Sequence, residues 1–158
     1  RLEIIIIEAS VARIFDSLKT SQDVYVQIVC GYTDGTEKVV GKTEICKNGN
    51  LAPKWNERFL CGRSAGSKTI KFQVYIHHNV RPPVLCGETV IPLDQMWDRA
   101  KRGAHSVPVP ISKKGEATGK LSIAVAMRFP DGTAPLKANG ASPLAQALGA
   151  TPSPKDQQ

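Results

Sequence analysis

Leu2 to Glu8 is an almost continuous β-branched run, too short for a globular helix and suited to a strand buried on one or both faces. From Val24 to Cys30 the pattern becomes alternation. Val24, Val26, Ile28 and Cys30 fall on one side, and Tyr25, Gln27 and Val29 on the other. Asp34-Gly35 then gives a strong hairpin signal, because glycine tolerates positive φ, and a second strand is expected to return through Lys38 to Cys46. The period of two recurs in Ile70, Phe72, Val74 and Ile76 against Lys71, Gln73, Tyr75 and His77, and again in Leu121, Ile123, Val125 and Met127. Short strands fit Asn56 to Cys61, Cys86 to Ile91 and His105 to Pro110, and one helical stretch runs from Leu93 to Arg102 with Asp94 as the expected cap. These elements predict an all-β fold, an antiparallel eight-stranded β-sandwich with one short helix.

Composition adds the domain organisation. At 158 residues the chain has room for one core and not for two full domains. After Phe129 the sequence turns to Pro, Ala, Gly, Ser and Gln without an aromatic residue, a composition that cannot bury enough to offset its ordering entropy. A folded unit is expected over 1–129 and a flexible linker or tail over 130–158. Beginning at Arg1 with no signal-like segment, the chain reads as a piece of a larger protein. No apolar run reaches the roughly 18 residues of a spanning helix.

Charge indicates the kind of partner. The chain carries 21 Lys and Arg against 14 Asp and Glu, a formal +7. All of that excess precedes Pro130, since the tail holds Lys137 and Lys155 against Asp131 and Asp156. The folded part is therefore the part that attracts anions. Cys30, Cys46, Cys61 and Cys86 lack the close spacing of a zinc or redox motif and are expected as buried, reduced thiols, consistent with a cytoplasmic setting.

The catalytic motifs fail on their surroundings. Gly62-Arg-Ser64-Ala-Gly66 has the G-x-S-x-G pattern, but an alternating strand follows it where a hydrolase nucleophile requires a helix. Gly41-Lys42-Thr43 resembles the end of a phosphate loop, yet Gly35 is one position too far away and no helix follows. His77 and His78 point to opposite faces of a strand, so with His105 they do not make a metal site. With no carboxylate pair in a plausible cleft, the expectation is a noncatalytic module with no cofactor and no bound metal.

Three stretches in order resemble the C2 domain, a lipid-binding and often calcium-binding β-sandwich, over Leu2 to Phe129. The first is Glu8-Ala9, Asp16 and Asp23-Val-Tyr25-Val26, similar to the family's Asp-Pro-Tyr-Val with Val24 in place of proline. The most specific is Leu51-Ala-Pro53-Lys-Trp55-Asn56-Glu57-Arg-Phe59, which departs from the family's Leu-Asn-Pro-x-Trp-Asn-Glu-x-Phe only at Ala52. The third is Phe72-Gln-Val74-Tyr75, Leu85-Cys-Gly87 and Ile91-Pro92-Leu93. The resemblance implies a Greek-key sandwich. Pro53, Trp55 and Phe59 suit turning the chain and plugging one end, and Asn56 and Glu57 suit bonding neighbouring backbone.

Calcium-binding members present five carboxylates from two loops, because Ca2+ takes about six to eight oxygen ligands. Here Asp16 and Asp23 match first-loop positions, while the third-loop positions carry Ile76, His78 and Pro83 or Val84. The resemblance therefore implies a calcium-independent member, with Asp16 and Asp23 kept as loop caps. Attraction must then come from basic side chains or apolar loop tips. Thr36 to Tyr75 holds eight basic residues against three glutamates. In the family a basic concave face receives phosphoinositide headgroups. Lys42 and Tyr25 match positions there, although Val40 replaces a lysine and His77 a tryptophan.

Lys38, Lys42, Lys47, Lys54, Lys71 and Tyr25 are the expected anion-binding set, and Ile14, Phe15, Leu18, Val84 and Leu85, joined by Val80, the expected membrane-facing tips. The implied partner is an anionic phospholipid surface. The competing class is a protein-interaction or scaffold module that does not bind lipid, its basic face meeting an acidic partner or a cytoskeletal polymer; the expected location is cytoplasmic, peripheral to membrane or associated with cytoskeleton. Nucleic acid is not expected, since stacking aromatics on a basic strand face are scarce.

Overall fold

The structure is a computed structural model, and it describes residues 1–15, 21–103 and 106–128. Asp16, Leu18, His105, Phe129 and the expected tail over 130–158 lie outside the described residues. The element order is β1 (Leu2–Val11), β2 (Asp23–Tyr32), β3 (Glu37–Lys42), β4 (Lys54–Cys61), β5 (Ser67–His77), β6 (Val84–Pro92), α1 (Leu93–Lys101), β7 (Val107–Lys113) and β8 (Glu116–Met127). The expected eight-stranded antiparallel sandwich with one short helix is the fold observed.

The strands hydrogen-bond in the order β3-β2-β5-β6-β7-β8-β1-β4, every pairing antiparallel. Between β6 and β7 only Glu88 and Ser112 pair. That weak joint divides the ribbon into two four-stranded halves that fold face to face. Between them lie Val24, Val26, Ile28, Ile70, Phe72 and Val74 from one half and Leu2, Ile4, Ile6, Leu121, Ile123 and Val125 from the other. Alternation decides which side chains enter this core, as the period of two requires.

β1 is the exception to alternation, because both of its faces are covered. Ile5 and Ile7 point away from the main core and form a second buried cluster with Ala124 and Ala126 of β8. This explains the unbroken β-branched run. Glu3 is also on that outer face and only 1% exposed, with its carboxylate ion-paired to Arg128 and 3.6 Å from Arg58. β8 approaches β1 closely at Gly119, whose φ is 150°, and a Cβ there would run into the Ser10 carbonyl oxygen.

Three expectations are corrected. β3 ends at Lys42 and does not continue to Cys46, because Thr43 turns inward and its Oγ1 accepts the Val26 N–H at 2.9 Å; Cys46 keeps only an isolated bridge to Val24. Asp94 does not cap α1: Pro92 is the N-cap residue with no side-chain bond, and the Asp94 carboxylate pairs with Arg63 at 2.9 Å. Cys30, Cys61 and Cys86 are buried free thiols as expected, but Cys46 is only half-buried because it lies in the irregular β3–β4 connection.

Candidate functional site

The outer face of the β3-β2-β5-β6 half is built from the residues that alternate away from the core. Tyr25 and Tyr75 are register partners and stack with ring centroids 5.6 Å apart. Burial, and then the neighbouring Tyr75, holds the Tyr25 hydroxyl above its ordinary pKa. One rung further on, Lys42, Gln27, Gln73 and Glu88 lie side by side across four strands. Gln27 Nε2 donates to Gln73 Oε1 at 3.0 Å, and Gln73 Nε2 donates to Glu88 Oε2 at 3.0 Å. The chain of amides ends on a carboxylate, so the centre of this face is polar and partly acidic.

The six expected anion-binding residues do not form one patch. Lys71 shares the outer face but is bound to Glu37 at 2.7 Å, and that bond, with Glu88 nearby, raises its pKa. Lys42 is on the same outer face, at the edge strand, and is exposed. Lys38 pairs with core-facing Cys30 and so points to the other side of β3, lining a groove of about 370 Å³ between β3 and β4 with Val39, Val40, Leu60 and Arg63. Lys47 lies in the β3–β4 connection and Lys54 opens β4; Lys54 is exposed. Arg58 and Arg63 are committed to Glu3 and Asp94. Among the described residues, Lys38, Lys42, Lys47, Lys54 and Lys68 of this region have no ion pair, and neither do Lys101, Lys113, Lys114 and Lys120 elsewhere on the chain.

The apical loops are tied together by amides. Gln22 is 3% exposed. Its Nε2 donates to the backbone oxygens of Arg13 and Asn50, and its Oε1 accepts the Phe15 N–H. Asp23 Oδ1 accepts the Asn48 N–H at 2.8 Å, a loop-capping use of the carboxylate. Ile76 is buried opposite Val24, and His78 is buried with Arg81 Nη2 3.5 Å from its Nδ1. Among the described residues no three His, Cys, Asp or Glu side chains converge on a common point; Asp16 is outside that set.

The expected loop tips divide similarly. Ile14 and Phe15 are half-buried, and Phe15 packs on the core with the Arg13 guanidinium 4.8 Å and the Lys113 ammonium 5.8 Å from its ring centre. Val84 and Leu85 are not at a tip: they begin β6, paired with Ile76 and Tyr75, because the strand extends two residues earlier than Cys86. Val80 is the projecting apolar residue, at 96% exposed.

The motif that carried the resemblance is structural. Glu57 accepts the Glu44 N–H at 2.9 Å, and Trp55 Nε1 donates to the Val24 oxygen at 3.2 Å. Asn56 serves differently from the expected backbone bonding: it adopts φ 53° at the irregularity where β4 meets the β1 bulge. The Gly62–Gly66 stretch is the β4–β5 turn with a strand after it, as read from the sequence. Sequence reasoning missed the amide chain from Gln27 to Glu88 and the Gln22 clasp. Alternation places Gln27 and Gln73 on the outer face, but cross-strand register, which makes them touch, is not written in either strand.

No helix among the described residues is long and apolar enough to cross a membrane. Comparison with curated protein sequences finds no match. Solved structures do match in fold. CC2D1B aligns with a TM-score of 0.62 at 15% identity over 80% of this chain and 54% of its own, so the chain spans about half of that structure. The first C2 domain of a plant extended synaptotagmin 1 aligns with a TM-score of 0.60 at 24% identity over 79% of this chain and 91% of its own. The tandem C2 domains of extended synaptotagmin 2 give 0.57 at 20% identity, covering 79% and 40%. The model of the C2 domain family matches residues 1–109. With its sandwich and its Trp-Asn-Glu strand in place, the chain belongs to the C2 domain family.

Proposed function

We propose that this C2 domain is a noncatalytic targeting module of a larger intracellular protein, which adheres to anionic membrane without calcium through its edge lysines. The observation that carries this reading is the group Lys38, Lys42, Lys47 and Lys54 on β3, the β3–β4 connection and the start of β4, with no ion pair among the described residues. An ion-paired lysine must lose its partner to meet a phosphate; these have none to lose. Lys71 is therefore left out of the binding set, and Tyr25 supports the face by stacking on Tyr75 without meeting lipid directly. Calcium independence is supported by the third-loop positions, where buried Ile76 and His78 offer no carboxylate oxygen beside Asp23.

At about 1 kcal/mol for each lysine near an anionic surface, four supply about 4 kcal/mol, which is weak and reversible attachment. Val80 adds an apolar contact at the neighbouring loop. The test is sedimentation with phosphatidylserine vesicles. Lys42→Gln with Lys47→Gln should lower the partition coefficient about thirtyfold, as the loss of about 2 kcal/mol requires. An unchanged coefficient excludes the lysine face. A protein-docking role is the second reading, favoured by Val39 and Leu60, 49% and 52% exposed beside the β3–β4 groove. Absence of vesicle binding at low salt would support it.

A further inference from the structure

The sheet does not close. β3 and β4 are its two ends, and among the described residues no backbone hydrogen bond joins them. They meet where Gly41 lies against the Phe59 ring, so closely that a Cβ on Gly41 would collide with it. Beyond that contact the two edges part and leave the groove of about 370 Å³. Its floor is apolar: Tyr32 and Val40 pack on the core, and Cys30 and Cys61 are buried. Its banks are basic. Lys38 has no ion pair among the described residues. The Arg63 guanidinium rests 5.8 Å from the Trp97 ring centre, and its bond to Asp94 is an exposed pair that contributes little and exchanges readily for another carboxylate. No described lining residue is acidic.

An unpaired strand edge presents a row of N–H and C=O groups that another strand completes. The two edges differ as templates. β3 is bulged, since Val39 and Gly41 pair with the consecutive residues Val29 and Ile28 and leave Val40 over, and a bulge twists an edge away from a partner. β4 pairs with β1 from Glu57 to Cys61 without a shift, so its template is regular. We propose that β4 receives, over Phe59 to Gly62, an extended acidic peptide of a partner protein as an added strand, with an apolar side chain on the Tyr32 and Val40 floor and carboxylates toward Lys38 and Arg63. This names the partner for the protein-docking reading and rests on it. Main-chain bonds supply the affinity of such an addition, and the floor and the charges choose the sequence. A lipid satisfies the charges alone, having no row of N–H and C=O groups at strand spacing to offer β4.

The test is amide chemical-shift titration of the full chain with the end-capped peptide Gly-Glu-Ile-Glu-Gly. The controls are Gly-Lys-Ile-Lys-Gly and the acidic peptide with a methylated backbone. The acidic peptide should saturate shifts at Val40, Leu60 and Gly62 at about millimolar concentration, and both controls should bind at least about tenfold more weakly. Lys38→Glu with Arg63→Glu, both exposed, should weaken the acidic peptide about tenfold and strengthen the basic one. Lys42→Gln with Lys47→Gln, which lowers vesicle binding, should leave the peptide affinity within about threefold, because neither lysine lines the groove. Equal binding of the methylated peptide would overturn strand addition, and equal binding of the basic peptide would overturn the acidic preference; protein docking by other means survives both, since vesicle binding at low salt decides that reading separately. Absence of saturation overturns the assignment outright. So do shifts at these residues that grow with the concentration of the free chain, which would put a second copy on the edge.

Discussion

Glu3 shows how one side chain can constrain an element. Its carboxylate is 2% exposed and rests between Arg128 and Arg58, so removing the closer arginine leaves a buried charge with only the longer 3.6 Å contact to Arg58. Arg128→Met is expected to lower stability by about 2–3 kcal/mol in urea titration, the cost of removing the nearer partner of a buried ion while Arg58 offsets part of it. The thiols give a second test at this scale. Burial pushes Cys86 up to about 12 and raises Cys61, beside Cys30, so neither supplies thiolate at neutral pH. Under native conditions a thiol reagent should modify half-buried Cys46 first, with the other three reacting only on unfolding, as peptide mapping would show. Lys71 titrates in the opposite sense to a stabilised carboxylate. Its pKa is raised above 10.5 by Glu37, so the pair's contribution is complete below that value and is lost as pH rises through the folded pKa.

At the scale of elements, strands were legible wherever one face is buried and the other wet, because alternation then leaves a period of two. β5 is the clear case; β2 alternates in residue type, although Tyr25 and Val29 of its outer face are buried too. β1 was legible as a strand, and its double burial accounts for the run of isoleucines. Ends were less legible. Nothing in Lys38 to Cys46 announces that Thr43 turns in to bond Val26, and Asp94 looks like a cap because Arg63, its partner, is 31 positions away in sequence. Asn56 was recognisable as part of a motif, but its left-handed backbone was not, since the strain depends on the bulge in β1 opposite. Asn56→Gly is therefore expected to leave stability within about 0.5 kcal/mol of the parent, and Asn56→Val to cost about 1–2 kcal/mol. Equal effects in thermal denaturation would show that the side chain, and not the backbone, matters there.

For the whole molecule, the sequence provides the net charge and the structure determines which charges remain available. The +7 balance does not distinguish Lys71 from Lys42; the register that delivers Glu37 to Lys71 does. Around β3 and β4 this leaves a set of unpaired lysines, on both sides of the edge strand, which suits a broad anionic surface better than a single headgroup pocket; among the described residues Lys101, Lys113, Lys114 and Lys120 have no ion pair either, so it is the grouping at this edge that the proposal uses. Such attraction is screened once the Debye length falls to a few ångströms, so vesicle binding should disappear between about 0.1 and 1 M salt. The central claim, adhesion by these lysines without a metal bridge, is tested most directly by the binding isotherm on phosphatidylserine vesicles at low salt, measured with a calcium chelator and again with added Ca2+. The account predicts the same isotherm in both. Binding that appears only when Ca2+ is supplied would contradict it.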